Sequence, residues 1–237
     1  MYTQISMKNL IIYIGLFLGC ALINYAQDYP CNCSDSKSME KYFEEKLTAK
    51  KFIFLQSGGS GQYFNDWLSG DIILYDSTVV KNKNLRYRGF GDQLLWARNS
   101  DFQMGIVDRD IVGGFVLYNE DNTIFAKFKN LNISNENDKN DNFLYLQVLA
   151  EGEVSFYVYR RIRMESTGNE MYPDYIYYMN VKGKYVQVKL SQSTLSKLVP
   201  EDKATIKTII KKNKLRTRKE EGMIKAVELY NTRANIK

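Results

Sequence analysis

The chain has 237 residues, 44% of them hydrophobic and 25% charged, with a formal net charge of +6; this is a globular composition, long enough for one ordinary domain or somewhat more. It contains no histidine, which excludes His-based triads, His general bases and His metal ligands. A chain this long buries roughly 70% of its unfolded surface, so it needs no metal or disulfide staple, and no cofactor is expected.

Leu10 to Ile23 is apolar, with Lys8 in front. It is shorter than the roughly 20 residues that span a bilayer as a helix, and it fits a secretory signal cut between Ala26 and Gln27. Met7 offers an alternative start, and Asn24 is an unusual residue at the third position before the cut. A competing reading is a lipoprotein signal ending at Cys20, although Phe17 replaces the usual Leu and the chain stays apolar through Ala21, Leu22 and Ile23. A retained anchor helix is the third. Removal of the signal leaves Cys31 and Cys33 as the remaining cysteines. They are read as a local disulfide, a soft-metal pair or two loose thiols; a four-ligand zinc site would need two more Cys or His.

From Asp35 or Ser36, Met39, Tyr42, Phe43 and Leu47 share one face of a helix running to about Lys50. Lys51 to Leu55 reads as a strand. Ser57 to Gly61 is a flexible loop, without the Gly-Lys-Ser/Thr of a phosphate loop. Tyr63 to Trp67 reads as a helical turn or an aromatic plug, and Asp71 to Tyr75 as a strand. Leu85 to Leu117 organises the rest. Leu85 and Tyr87 alternate with Arg86 and Arg88, Gly89 and Gly91 interrupt the run, and short apolar segments follow with a turn signal about every 8 to 12 residues. No helix-length segment intervenes, so an antiparallel meander is predicted rather than βαβ units.

Further strands are expected over Thr123–Lys129, with Ile124, Ala126 and Phe128 on one side, and over Phe143–Leu149 and Val154–Met164. Asn132 to Asn142 is a polar loop with a sequon at Asn132. Arg160, Arg161 and Arg163 cluster at the end of the Val154–Met164 strand. They are candidate contacts for an acidic ligand, or partners of Glu151, Glu153 or Glu165. Tyr175–Val181 and Tyr185–Leu190 form a hairpin around Lys182-Gly183-Lys184.

From Ser193 the apolar period changes from two to 3.6 residues. Pro200 suits a first helical turn, Ile206, Ile209 and Ile210 form a stripe, and Thr217-Arg218-Lys219-Glu220 reads as a capping box opening a second helix. Gly222 should weaken that helix by about 1 kcal/mol relative to Ala. The residues from Glu201 onward hold 11 Lys/Arg against 5 Asp/Glu, and Gln27 to Pro200 hold 21 against 22. The basic excess therefore lies in the tail. It is read as a solvated Lys-rich face or as a peripheral contact with an anionic membrane surface; nucleic acid is not an expected partner of an exported protein.

The segment Gln62–Ala97, the Ile111-Val112 and Phe115 positions after it, and the tail from Leu198-Val199-Pro200 to GMIKAVELYN (Gly222–Asn231) resemble a broad group of exported proteins of Bacteroidota. The matching motifs are structural, and the group carries no established activity to transfer. Gln27 after Ala26 is similar to that phylum's usual signal cleavage, and Asp76-Ser77-Thr78 to its O-glycosylation site.

The expected architecture is mainly β: an antiparallel meander forming a curled sheet or partial barrel, with a short N-terminal helix and a C-terminal helical pair. Residues 1–26 are the signal, 27–51 a linker and helix, 52–191 the β domain and 192–237 the helical pair. The function that fits is a non-enzymatic envelope or secreted protein binding a partner or ligand through the aromatic-rich β domain. The alternatives are a carboxylate-based hydrolase acting on glycans and a structural or assembly factor at the cell surface. The 27 acidic residues leave the hydrolase open, but a carboxylate separation of roughly 5 to 9 Å cannot be read from sequence.

Overall fold

Alternating apolar and polar residues become strands through much of the segment 68–188. The structure, a computed structural model, describes residues 48–52, 60–97, 104–133, 142–168 and 170–233, with backbone alone for 48–52 and 60. All belong to one unit, Lys46–Lys237. The expected signal, Cys20, Ala26, Gln27, Cys31, Cys33 and most of the expected N-terminal helix lie outside the described residues.

The strands are β1 (Thr48–Phe52), β2 (Leu68–Leu74), β3 (Val79–Arg88), β4 (Gln93–Ala97), β5 (Met104–Val107), β6 (Val112–Tyr118), β7 (Ile124–Asn132), β8 (Phe143–Ala150), β9 (Val154–Tyr159), β10 (Ile162–Met164), β11 (Met171–Pro173), β12 (Ile176–Val181) and β13 (Lys184–Val188). Helices α1 (Thr194–Leu198), α2 (Lys203–Lys212) and α3 (Glu220–Arg233) follow. Eleven strands form one antiparallel sheet in the order β1-β5-β4-β3-β2-β6-β7-β8-β9-β12-β13, and β10 pairs with β11 apart from it.

That order departs from a simple meander where β1 pairs with β5, where β9 pairs with β12, and at the step from β5 to β6. β6 pairs with β2, on the far side from β5. Val107 and Val112 end and begin strands four positions apart in the sheet, a separation of roughly 19 Å if it were flat. Five residues reach roughly 17 Å at full stretch, and three of them here are wound into a 3₁₀ turn, Arg109–Ile111. The sheet must therefore curl, and it does: the ring of Tyr87 on β3 lies 6.4 Å from that of Tyr145 on β8. The result is a partial barrel, open between β1 and β13.

The concave face holds the aromatic core. Phe115 and Phe128 stack at 4.5 Å between ring centroids, Tyr87 lies 4.8 Å from Phe128, and Tyr145 meets Phe115 edge-on at 5.4 Å. Residues 63–67 plug this face. Phe64 donates its backbone N–H to Tyr87 O at 3.0 Å, and its ring meets Tyr87, Phe125 and Phe128. Further along the sheet the helices cover Val154, Phe156 and Met179 with Leu195, Ile206, Met223, Val227 and Tyr230. A smaller cluster, Leu146, Tyr157 and Tyr178, occupies the opposite face.

Several expectations are corrected. Thr48–Lys50, assigned to the end of a helix, belong to β1. The Val154–Met164 strand breaks at Arg160-Arg161, because Ile162 N donates to Gly89 O at 3.1 Å and β10 pairs with β11. Ile124 is exposed, since the β6–β7 register shifts beside it and turns it away from Ala126 and Phe128. The hairpin turn is Lys182-Gly183 alone, both with positive φ, 53° and 83°; two such residues match the right-handed twist of the flanking strands. The expected capping box does not form. Thr217 Oγ1 instead donates to Ser191 O at 3.2 Å, and Glu220 turns to Arg160.

Candidate functional site

Arg160 stands where β9 ends, on the same face as Phe156 and Val158, and points toward the start of α3. Its Nη1 and Nη2 donate to Glu220 Oε2 and Oε1 at 2.9 and 2.7 Å, and its Nε donates to Gln147 Oε1 at 2.6 Å. This bidentate geometry fixes the guanidinium plane. Phe64 lies 5.5 Å from it and Tyr175 4.7 Å from it, ring centroid to guanidinium carbon. Phe64 in turn touches Phe125 at 5.8 Å. Phe125, Phe64, Arg160 and Tyr175 thus form a contiguous row of planar groups. Its two ends are open, Phe125 at 42% and Tyr175 at 37% exposure, while Arg160 is buried. Tyr177 flanks the row; burial, reinforced by the Glu220 carboxylate, pushes its hydroxyl up to about 12.

The three arginines grouped in sequence separate in space. Arg160 goes to Glu220, whereas Arg161 pairs with Asp174 and Arg163 approaches the same carboxylate at 3.6 Å. None of Glu151, Glu153 and Glu165 is a partner of the trio; Glu151 takes Lys127 and Lys129. Arg161 and Arg163, two residues apart, stay together on Asp174, while Arg160 points to the other side, the division that strand alternation makes.

A second polar cluster locks the curl. Asp92 sits at the tip of the β3–β4 hairpin with φ 54°, a left-handed conformation that Asp tolerates better than most residues. Its Oδ1 accepts from the Tyr87 hydroxyl at 2.6 Å, and its Oδ2 accepts from Arg109 Nη2 at 2.7 Å and Tyr145 N at 3.2 Å. Arg109 also donates to Phe143 O at 2.8 Å and lies 5.0 Å over the Tyr145 ring. Asn130 Nδ2 donates to Arg109 O and Val112 O, which secures the crossover turn. Burial raises the Asp92 carboxyl above its ordinary range, against the opposing pull of Arg109. Burial, and then Asp92, raises the Tyr87 hydroxyl well above its own. This cluster is a clamp: its groups face one another and Asp92 is 4% exposed.

A third cluster seats α3. The Tyr230 hydroxyl lies 3.1 Å from Glu153 Oε1 and 2.9 Å from Asp202 Oδ2, and Arg233 pairs with Asp202. Asn231 Oδ1 accepts from Val154 N, and its Nδ2 donates to Val154 O, at 3.0 and 2.8 Å. Among the described residues, no group of three or more Asp, Glu or Cys is placed to hold a metal ion, and no helix is long and apolar enough to cross a membrane.

Sequence reasoning identified Arg160 but none of its partners. Along the sequence Glu220 reads as part of a capping box and Gln147 as one position of the Phe143–Leu149 strand. The Gly-Asp step in a hairpin turn marks a left-handed position and was the one local sign of Asp92. No family model, no curated protein and no solved structure matches the chain.

Proposed function

We propose that this chain is an exported, non-enzymatic binding protein of the cell envelope, and that it engages its ligand along the row Phe125–Phe64–Arg160–Tyr175. The row itself carries the reading. A buried arginine held flat by a carboxylate and a glutamine backs Phe64 and Tyr175, and the two ends of the row, Phe125 and Tyr175, are exposed. Flat rings pack on apolar faces without needing their own hydrogen bonds satisfied. Tyr175 adds a hydroxyl at one end and Tyr177 another beside it, which suits a ligand with alternating apolar and hydroxylated faces, such as an envelope glycan strand. Glu220 is committed to Arg160, so it supports the row rather than acting as an acid or base. Export rests on the sequence of the leader, Lys8 to Gln27.

Co-sedimentation with purified cell-wall glycan, and calorimetry with its soluble fragments, test this reading. The wild-type protein is expected to bind, and Phe125→Ala/Tyr175→Ala to lose most of the affinity while keeping wild-type far-ultraviolet circular dichroism and a cooperative unfolding transition. Equal binding by the double variant, or no binding to any envelope glycan, would sink the assignment. Processing at Ala26-Gln27 is checked separately, by the mass of the protein recovered from the envelope.

A further inference from the structure

From Lys203 to Lys219 the chain carries eight Lys/Arg and no Asp/Glu. All eight side chains are exposed, and none makes an ion pair with any described residue. The flanking carboxylates are engaged elsewhere: Glu201 pairs with Lys182, Asp202 with Arg233 and Glu220 with Arg160. Lys203, Lys207 and Lys211 are spaced four residues apart on α2, so they lie along one side of the helix, and like charges at that spacing destabilise it. Lys211 and Lys212 gain from the negative end of the helix dipole; the others have no such compensation. The inner side of the same helix buries Ile206, so the cationic side is free of any packing role.

We propose that this surface, formed by α2 and the connection to α3, docks the protein peripherally on an anionic lipid bilayer. Six of the eight cations are lysines, hydrated point charges that suit a diffuse anionic surface better than a shaped pocket. No aromatic residue lies between Lys203 and Lys219, so the surface lacks the stacking platform with which single-stranded nucleic acid is held. It also exposes no large apolar side chain, so the contact is adsorption rather than insertion. This surface shares no residue with the glycan-binding row, and either assignment can fail without the other.

The experiment is flotation of the full chain with vesicles of phosphatidylcholine alone or with about a third phosphatidylglycerol, at low ionic strength and at about 0.5 M salt, where charges are screened within a few ångströms. Binding is expected only to the anionic vesicles and only at low salt. Lys203→Glu/Lys207→Glu/Lys211→Glu should lower the partition coefficient by about tenfold or more, and the triple Gln variant by less, both with wild-type far-ultraviolet circular dichroism. Failure to float with anionic vesicles at low salt overturns the proposal, as does unchanged flotation of both triple variants. Preferential binding of a DNA duplex or single strand over anionic vesicles, at the same salt, also overturns it and reassigns the surface to nucleic acid.

Discussion

The backbone N–H of Tyr145 donates to Asp92 Oδ2 at 3.2 Å, joining the tip of the β3–β4 hairpin to β8 across a curl that spans β2, β6 and β7. The same carboxylate holds the Tyr87 hydroxyl and Arg109, so one side chain fastens β3 and β8 to the crossover turn. Asp92→Ala should cost about 3–5 kcal/mol in urea unfolding, because it leaves buried partners without an acceptor. Asp92→Asn, which keeps an acceptor and tolerates positive φ, should cost about half of that. Equal losses for the two variants would mean that backbone conformation, not the carboxylate, makes the clamp.

The acid response of this site has a definite sign. Burial raises the Asp92 carboxyl above its ordinary value of 3.8, so the folded state holds the proton over a pH range in which the unfolded state has lost it. Stability from this group therefore falls as pH rises through the raised value, and is regained as pH falls toward 3.8. The wild-type stability measured against that of Asp92→Asn should widen in favour of the wild type as pH is lowered from 7 to about 4. A gap that narrows over that range would reverse the assignment.

Arg160 and Glu220 act as a unit. Arg160→Ala should destabilise by about 3–5 kcal/mol, since Glu220 and Gln147 lose their donor within a largely buried site. Glu220→Gln should cost about 1–2 kcal/mol, with one hydrogen bond to the guanidinium retained. Arg160→Met/Glu220→Leu should recover most of the arginine variant's loss, because an apolar pair of similar volume avoids desolvating either charge. A double-mutant cycle by thermal and chemical unfolding measures the coupling; additive losses would show that the pair is not coupled.

Gly222 separates local propensity from tertiary packing. In an isolated helix, Gly→Ala stabilises by about 1 kcal/mol. Here a Cβ at this position would collide with the carbonyl oxygen of Arg216, where the chain turns into α3. Gly222→Ala is therefore expected to destabilise the protein by about 1–3 kcal/mol. A rise in melting temperature would show that the α2–α3 connection yields freely.

The same contrast separates what was readable along the chain from what was not. The β12–β13 hairpin was legible because strand alternation and the Lys-Gly turn are local signals, each satisfied within a few residues. The strands of the central meander and the change to helical period near Ser193 were legible for the same reason. The return of β6 to β2 was not, since it depends on the sheet curling far enough for a short link to cross four strand positions. Nor was the break at Arg160-Arg161, which arises because Gly89, some seventy residues earlier in the chain, offers its carbonyl to Ile162.

Composition and periodicity alone determined that this protein is mainly antiparallel β with a helical, basic C-terminus, because both follow from which side chains recur at spacings of two and 3.6 residues. Only the tertiary structure decided that Asp92 is a clamp, that Arg160 belongs with Glu220 rather than with Arg161 and Arg163, and that the lysines of α2 are exposed with no ion-pair partner among the described residues. Each of these depends on residues far apart in sequence being brought together, or kept apart, by the curl of the sheet and the seating of α3, and no local pattern encodes that distance.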